Sequence, residues 1–362
     1  MTQQYSSTGA GLGDVSPPSD PIVDTATNPF KILALSGGGY RGLYTAQVLA
    51  DLEAHIQAPI ASRFDLIAGT SIGGILALAL SLEVPAARMV ELFTAHGHEI
   101  FKARSSLGGI WRSKYTQLAL LDLLRGENLF GQKTLGHCSR RVIVPAIDYS
   151  NGVPVLFKTP HHPDLTRDHA YAATDVALAT SAAPGYFPRH CFDNRQFIDG
   201  GLFANAPGLL AVHEAQHYLG AKRDEIHVLS VGTMSSRFTV DPSSGRAGGT
   251  LDWGGFNPVN TPQRLFGIAI SSQESLVHSM LSHRVKAGQY HHVDEPLTDE
   301  KARSVALDKT DYAAQEALIG AARQSSKVAL GNPVLRELLK SAAQSPKFYY
   351  GPQAVEEGVI NA

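Results

Sequence analysis

Short apolar runs alternate with longer stretches of helical spacing along most of this chain. Phe30 to Ser36 (FKILALS) is an apolar run stopped by three glycines, and Leu43 to Ile56 then carries apolar residues at helical intervals. Phe64 to Ala68 followed by Gly73 to Leu82 repeats this order of strand, glycine turn and helix. Arg141 to Ile147, Val153 to Lys158, Gln196 to Ile198 and Ile226 to Val231 read as further strands. Pro85 to Phe101 and Ala206 to Leu219 read as helices, the first with proline in its opening turn. Strands alternating with helices predict an α/β fold: a three-layer α/β/α sandwich with a mostly parallel central sheet covered on both faces. Gln263 to Ala287, Asp311 to Leu330 and Asn332 to Ala343 add C-terminal helices, whose apolar stripes predict packing against the sheet.

Three segments stand outside this alternation. Residues 1 to 28 are rich in Ser, Thr, Gly, Pro and Gln and have too little apolar content to offset ordering, which predicts a mobile tail and no secretory signal. Phe64 to Leu82 carries a single charge, Asp65, and approaches the length of a membrane span, about 20 residues. Its central Gly69, Thr70, Ser71, Gly73 and Gly74 break it into strand, turn and buried helix instead. Gly232 to Pro262 is dense in Gly, Ser and Pro, and reads as either a ligand-ordered lid or a surface loop. One domain from about residue 29 to 362 is expected, with the helical extension beginning near 263.

Composition narrows the functional classes. With 43% hydrophobic and 18% charged residues the chain has material for one sizeable core. A net charge of -2 provides no overall positive field, so no DNA or RNA partner is expected and any lipid contact must be local. Cys138 and Cys191 are too few for a disulfide scaffold and read as reduced, buried thiols; no Cys/His spacing suggests a metal site.

Candidate chemistry sits at three glycine turns. Gly69-Thr70-Ser71-Ile72-Gly73 lies between a strand and a helix, the arrangement in which small neighbours permit a strained turn that presents a serine hydroxyl. Gly37-Gly38-Gly39-Tyr40-Arg41-Gly42 joins the first strand to the first helix, where free backbone N–H groups favour an oxyanion. The same loop satisfies the Gly-x-Gly-x-x-Gly dinucleotide fingerprint. That reading wants an acidic residue at the end of the second strand, whereas Asp65 stands at its start. Asp199-Gly200-Gly201 follows the Pro-bounded segment Ser181 to Pro188, which is suited to a pocket wall. Asp199 reads either as a turn residue or as a base for Ser71. A carboxylate, with a reference pKa near 4, needs desolvation and an oxyanion site to serve in that role.

In this order GGGYRG, GTSIG and DGG resemble the patatin-like phospholipases, over about Phe30 to Gly232. The resemblance implies Ser71 as nucleophile, Asp199 as base, and Gly37, Gly38 and Gly39 as oxyanion loop. Arg41 is implied to brace the loop, and Gly42, Gly69, Gly73 and Gly200 to support the turns. It implies no catalytic cofactor or metal. The FKILALSGGGYRG opening, RRVIVPAIDYSNGVPVLFKTPHH and the QESLVHSMLSHR helix further resemble bacterial patatin-like effectors of anti-phage signalling. That implies membrane phospholipids as substrate, a cyclic dinucleotide such as cyclic GMP-AMP as activator, and a cytoplasmic enzyme acting at the inner membrane surface. No motif locates the nucleotide site, and a homodimer contact through the C-terminal helices stays open.

Other readings remain in view. A Ser-His-Asp esterase would need a histidine after its acid, such as His213, His217 or His227, and a nucleotide-sensing module would leave the serine site vestigial. Packing or surface roles are expected for most of the 15 histidines. Arg104, Trp111, Arg112 and Lys114 form a local patch that could touch a membrane surface.

Overall fold

The computed structural model describes residues 29–104, 112–234, 261–297 and 305–355. The tail at 1–28, Trp111 and most of the Gly/Ser/Pro-rich stretch, 235–260, lie outside the described residues. The strands are β1 (Phe30–Leu35), β2 (Leu66–Gly69), β3 (Arg141–Asp148), β4 (Val153–Lys158), β5 (His190–Phe192), β6 (Arg195–Asp199), β7 (Ile226–Val231) and β8 (Tyr290–Val293). The helices that position the site are α1 (Gly42–Ile56), α2 (Ile72–Ser81), α3 (Ala86–Ile100), α4 (Leu118–Arg125), α5 (Ala173–Thr180), α6 (Gly201–Ala204), α7 (Gly208–His217) and α8 (Thr261–Arg284). Helices α9 (Tyr312–Gly331) and α10 (Pro333–Lys340) follow.

One sheet runs β5-β6-β3-β2-β1-β7-β8, with β4 also paired to β3. The pairs β3-β2, β2-β1, β1-β7 and β7-β8 are parallel, and β3-β4, β3-β6 and β5-β6 antiparallel. Alternate residues of β1 serve opposite faces, as the pleat requires. Leu33 and Leu35 join a core with α1, α2, α3, α5, α9 and α10, while Ile32 and Ala34 join a second with α7 and α8. This is the expected three-layer sandwich, with the C-terminal helices divided between its faces.

Two ordered starts explain where the last helices begin. The Asp311 carboxylate accepts from the Ala314 N–H at 2.8 Å, and the Asn332 side chain accepts from the Val334 N–H at 2.9 Å, each satisfying an orphan helix donor. The sequence pattern missed β8, because Tyr-His-His-Val has no apolar run; pairing with β7 under α8 makes it a strand. It also missed α4, α5 and β5, all too short to show a period.

The expectation of two buried thiols holds for Cys138 alone. Cys191 is exposed, because β5 is the outer strand of its edge and leaves one flank in solvent. His161 is a packing histidine: its Nε2 lies 3.0 Å from Glu214 Oε1, and Lys158 Nζ reaches Glu214 Oε2 at 2.6 Å, tying β4 to α7.

Candidate active site

The register of β3 decides what meets at the site. β4 occupies one edge of β3 from Ile143 to Asp148. The other edge is shared: β2 pairs parallel with its first half, Arg141 to Ile143, and β6 pairs antiparallel with its second half, Ala146 to Asp148. Two strands running toward each other along one edge bring their C-terminal ends together. Those ends lead to Ser71 and Asp199.

Ser71 caps α2 with φ 54° and ψ -125°, a conformation side chains rarely adopt and one that costs about 1–3 kcal/mol. Its surroundings hold it there. The Ser71 N–H donates to Thr180 Oγ1 at 2.9 Å, and Thr180 Oγ1 donates to the Pro145 carbonyl at 2.6 Å. Thr70 Oγ1 donates to the Ala204 carbonyl at 2.6 Å. A Cβ on Gly69 would strike the Gly73 carbonyl, and one on Gly73 the Leu35 carbonyl, so the turn can be this tight only with glycine at both positions.

Ser71 Oγ donates to Asp199 Oδ2 at 2.6 Å, while Asp199 Oδ1 accepts from the Gly201 N–H at 2.7 Å. Asp199 is 2% exposed. Burial pushes its carboxyl up to about 7, against the opposing pull of the Ser71 and Gly201 hydrogen bonds. Gly200 packs on the Pro145 carbonyl, and its lack of a side chain lets β6 end this close to β3.

The three glycines of the first loop have different surroundings. The Gly37 N–H donates to the Asn205 carbonyl at 3.1 Å, and the Gly37 carbonyl accepts from Asn205 Nδ2 at 3.1 Å and Thr233 Oγ1 at 2.9 Å. Among the described residues the Gly38 and Gly39 N–H groups have no protein acceptor. Gly39 has φ 58° and abuts the Leu307 carbonyl, so a side chain there would meet both strain and a clash. Gly42 rests on the Ile72 side chain. Arg41 is 7% exposed, and its Nη1 donates to the Met234 carbonyl at 2.9 Å, joining the loop to the end of β7.

Gly38, Gly39, Ser71 and Asp199 open on a cavity whose walls are otherwise largely apolar. Ile72, Ile75, Phe93, Ile100, Phe101 and Leu120 line it, together with Phe266, Ile270 and Leu307. Ser181, Ala183, Tyr186 and Phe187 line it too, so the Pro-bounded segment is a wall of this pocket. No histidine lines it among the described residues. His213 and His217 stack on one another along α7, and His227 pairs in register with Lys31 on the far end of β1. Nor do the described residues gather three or more His, Cys, Asp or Glu side chains that could hold a metal. A hydroxyl bonded to a desolvated carboxylate, beside free N–H donors and an apolar cavity, is equipped for acyl transfer from an apolar chain.

Comparison with known proteins places the chain in a family. The patatin-like phospholipase profile matches residues 33–212. A cGAMP-activated phospholipase of Pseudomonas aeruginosa is 43% identical over 91% of this chain and 97% of its own. The chain belongs to the patatin-like phospholipase family. Proteins of the same description from Vibrio cholerae and Escherichia coli are 31% and 33% identical, over 91% and 88% of this chain and 100% and 92% of their own.

Sequence reasoning missed several residues that this family member gathers at the site. Thr180 precedes the Pro-bounded segment, Asn205 follows Asp199-Gly200-Gly201, and Thr233 follows β7; each is polar and buried, and none belongs to a glycine motif. Lys114 of the basic patch is held by Asp308 at 2.6 Å, a pairing across 194 residues of chain. Arg104 and Arg112 stand exposed beside Arg189 around an open cleft that shares Phe187 with the cavity. No helix among the described residues is long and apolar enough to cross a membrane.

Proposed function

We propose that the protein releases fatty acid from membrane glycerophospholipids through an acyl-Ser71 intermediate, under the control of a cyclic dinucleotide such as cyclic GMP-AMP. The observation that carries this reading is the 2.6 Å hydrogen bond from Ser71 Oγ to the buried Asp199 at the mouth of an apolar cavity.

In the proposed reaction Asp199 takes the Ser71 proton as Oγ attacks the ester carbonyl, and the charge that develops on the carbonyl oxygen is met by the Gly38 and Gly39 N–H groups. Collapse expels the lysolipid alkoxide, which takes the proton from Asp199. Water then attacks the acyl ester with Asp199 as base again, freeing the fatty acid and Ser71. Desolvation matters because an ordinary carboxylate is too weak a base for a serine hydroxyl, and a pKa near 7 narrows that gap. The apolar cavity suits the acyl chain, and Arg104, Arg112 and Arg189 suit a headgroup phosphate at the cleft beside it. Support for nucleotide control comes from the three relatives whose names state activation by cGAMP.

The test is fatty-acid release from mixed phospholipid vesicles in the presence of a panel of cyclic dinucleotides, against a Ser71→Ala control. Release that needs both Ser71 and one dinucleotide is expected. Release unchanged in Ser71→Ala would refute the nucleophile assignment, and release indifferent to every dinucleotide would refute the control.

A further inference from the structure

Glu274 lies in the middle of α8, is 6% exposed, and does not line the cavity. A buried carboxylate costs stability wherever an apolar residue would pack as well. Its partner shows why it matters to the site: Asn205 Nδ2 donates both to Glu274 Oε1 at 2.6 Å and to the Gly37 carbonyl at 3.1 Å. Next to it on the helix, the Gln273 side chain accepts from the Ala206 N–H at 3.1 Å, so α8 grips the 205–206 turn at two consecutive residues.

The link to the reacting atoms is the planarity of one peptide. The Gly37 carbonyl and the Gly38 N–H belong to the same trans unit and point in opposite directions. The carbonyl is held by Asn205 and by Thr233 Oγ1, and holding it there sets the direction of the Gly38 N–H, whose residue lines the cavity. An ionised carboxylate accepts only, so Glu274 selects the amide nitrogen of Asn205, and not its oxygen, for the position between the two acceptors. Arg41 favours the ionised form, while burial and the neighbouring Asp294 push the carboxyl up to about 7.

We propose that Glu274 is a positioning residue for hydrolysis, aligning the Gly38 N–H through Asn205 and thereby coupling α8 to the oxyanion site. This rests on the hydrolase reading above. Through this contact α8 reaches the oxyanion site.

The experiment measures kcat and KM on a soluble p-nitrophenyl ester, with the cyclic dinucleotide panel present. It uses the full chain, Glu274→Ala, Asn205→Ala and the double variant, with thermal melts to establish folding. Glu274→Ala should lower kcat about ten- to a hundredfold with KM within about twofold, as expected for a small misplacement of catalytic donors. The double variant should be no slower than Asn205→Ala, since both changes break one chain of contacts. Glu274→Gln, which keeps an acceptor oxygen, should return to within about threefold of the parent. If Glu274→Ala does not fold, Glu274→Leu fills the volume without the acceptor and takes its place. Unchanged kcat, additive losses, or Glu274→Gln as slow as Glu274→Ala would each overturn the positioning role. A parent protein that hydrolyses no ester and leaves Ser71 unlabelled by a fluorophosphonate would instead overturn the hydrolase reading on which it rests.

Discussion

Ser71 and Asp199, 128 residues apart in the chain, stand end to end along one edge of β3, with Oγ 2.6 Å from Oδ2. Because each residue follows or ends a strand in a single sheet, their separation is set by backbone hydrogen bonding more than by side-chain choice. That rigidity suits a hydroxyl–carboxylate pair, whose carboxylate is held further by the Gly201 N–H at 2.7 Å.

Replacing Asp199 with Asn should keep the fold and abolish ester hydrolysis, with turnover falling at least a hundredfold. Hydrolysis with a chromogenic ester, beside circular dichroism of the variant, is the check. Full activity in Asp199→Asn, with loss on changing a histidine, would end the two-residue mechanism.

The raised Asp199 pKa has a kinetic and a thermodynamic consequence. As base it must be ionised, so kcat/KM should climb with pH and reach half its plateau near pH 7. For stability the sign is opposite: the folded pKa of about 7 exceeds the ordinary 3.8, so the native state holds the proton more tightly. This contribution is present at low pH and is lost as pH rises from about 4 through 7. Asp199→Asn lacks that loss, and should melt higher than the parent at pH 8 but not at pH 4.

Thr180→Val should weaken both fold and activity. Its hydroxyl satisfies the Ser71 N–H and the Pro145 carbonyl, and valine would leave both buried groups unpaired, at about 1–3 kcal/mol each. The melting temperature should drop. Labelling of Ser71 by a fluorophosphonate should slow even in protein that remains folded, because the strained turn loses its anchor. Unchanged labelling would show that Thr180 serves stability alone.

Charge at the open cleft should matter for membranes and not for soluble substrate. Arg112→Glu combined with Arg189→Glu should cut hydrolysis of anionic vesicles severalfold and leave a soluble short-chain ester within twofold. Equal losses on both substrates would place these arginines in folding or catalysis.

Narrowing the cavity should shift chain-length preference. Ile270→Trp on α8 adds bulk to the cavity that Ile72 and Ile75 also line, and each acyl methylene kept out forfeits about 0.8 kcal/mol of burial. Hydrolysis of long-chain esters should fall by an order of magnitude relative to acetate. A parallel loss on acetate would mean that the site itself had been disturbed.

Much of the fold was legible in the sequence because β1, β2 and β7 bury both faces and read as mostly apolar runs followed by glycine, while α1 and α3 carry their own period. Short or polar elements escaped: β8 is Tyr-His-His-Val, and its strand state comes from β7 beside it. Cys191 was misjudged because local pattern says nothing of which strand ends at an edge.

For the site, the sequence by itself determined which residues are equipped for chemistry: a serine and an aspartate at glycine turns, and a run of glycines before a helix. Glycine requirements and hydroxyl or carboxylate chemistry are local properties, written residue by residue. Only the tertiary structure decided how they are deployed. It turned the Gly37 N–H to Asn205 and left those of Gly38 and Gly39 without an acceptor among the described residues. It also brought Thr180 under Ser71 and set Glu274 of α8 behind Asn205. Each of those contacts joins segments tens to more than a hundred residues apart, and the sheet register that creates them is a property of long-range pairing that no local pattern contains.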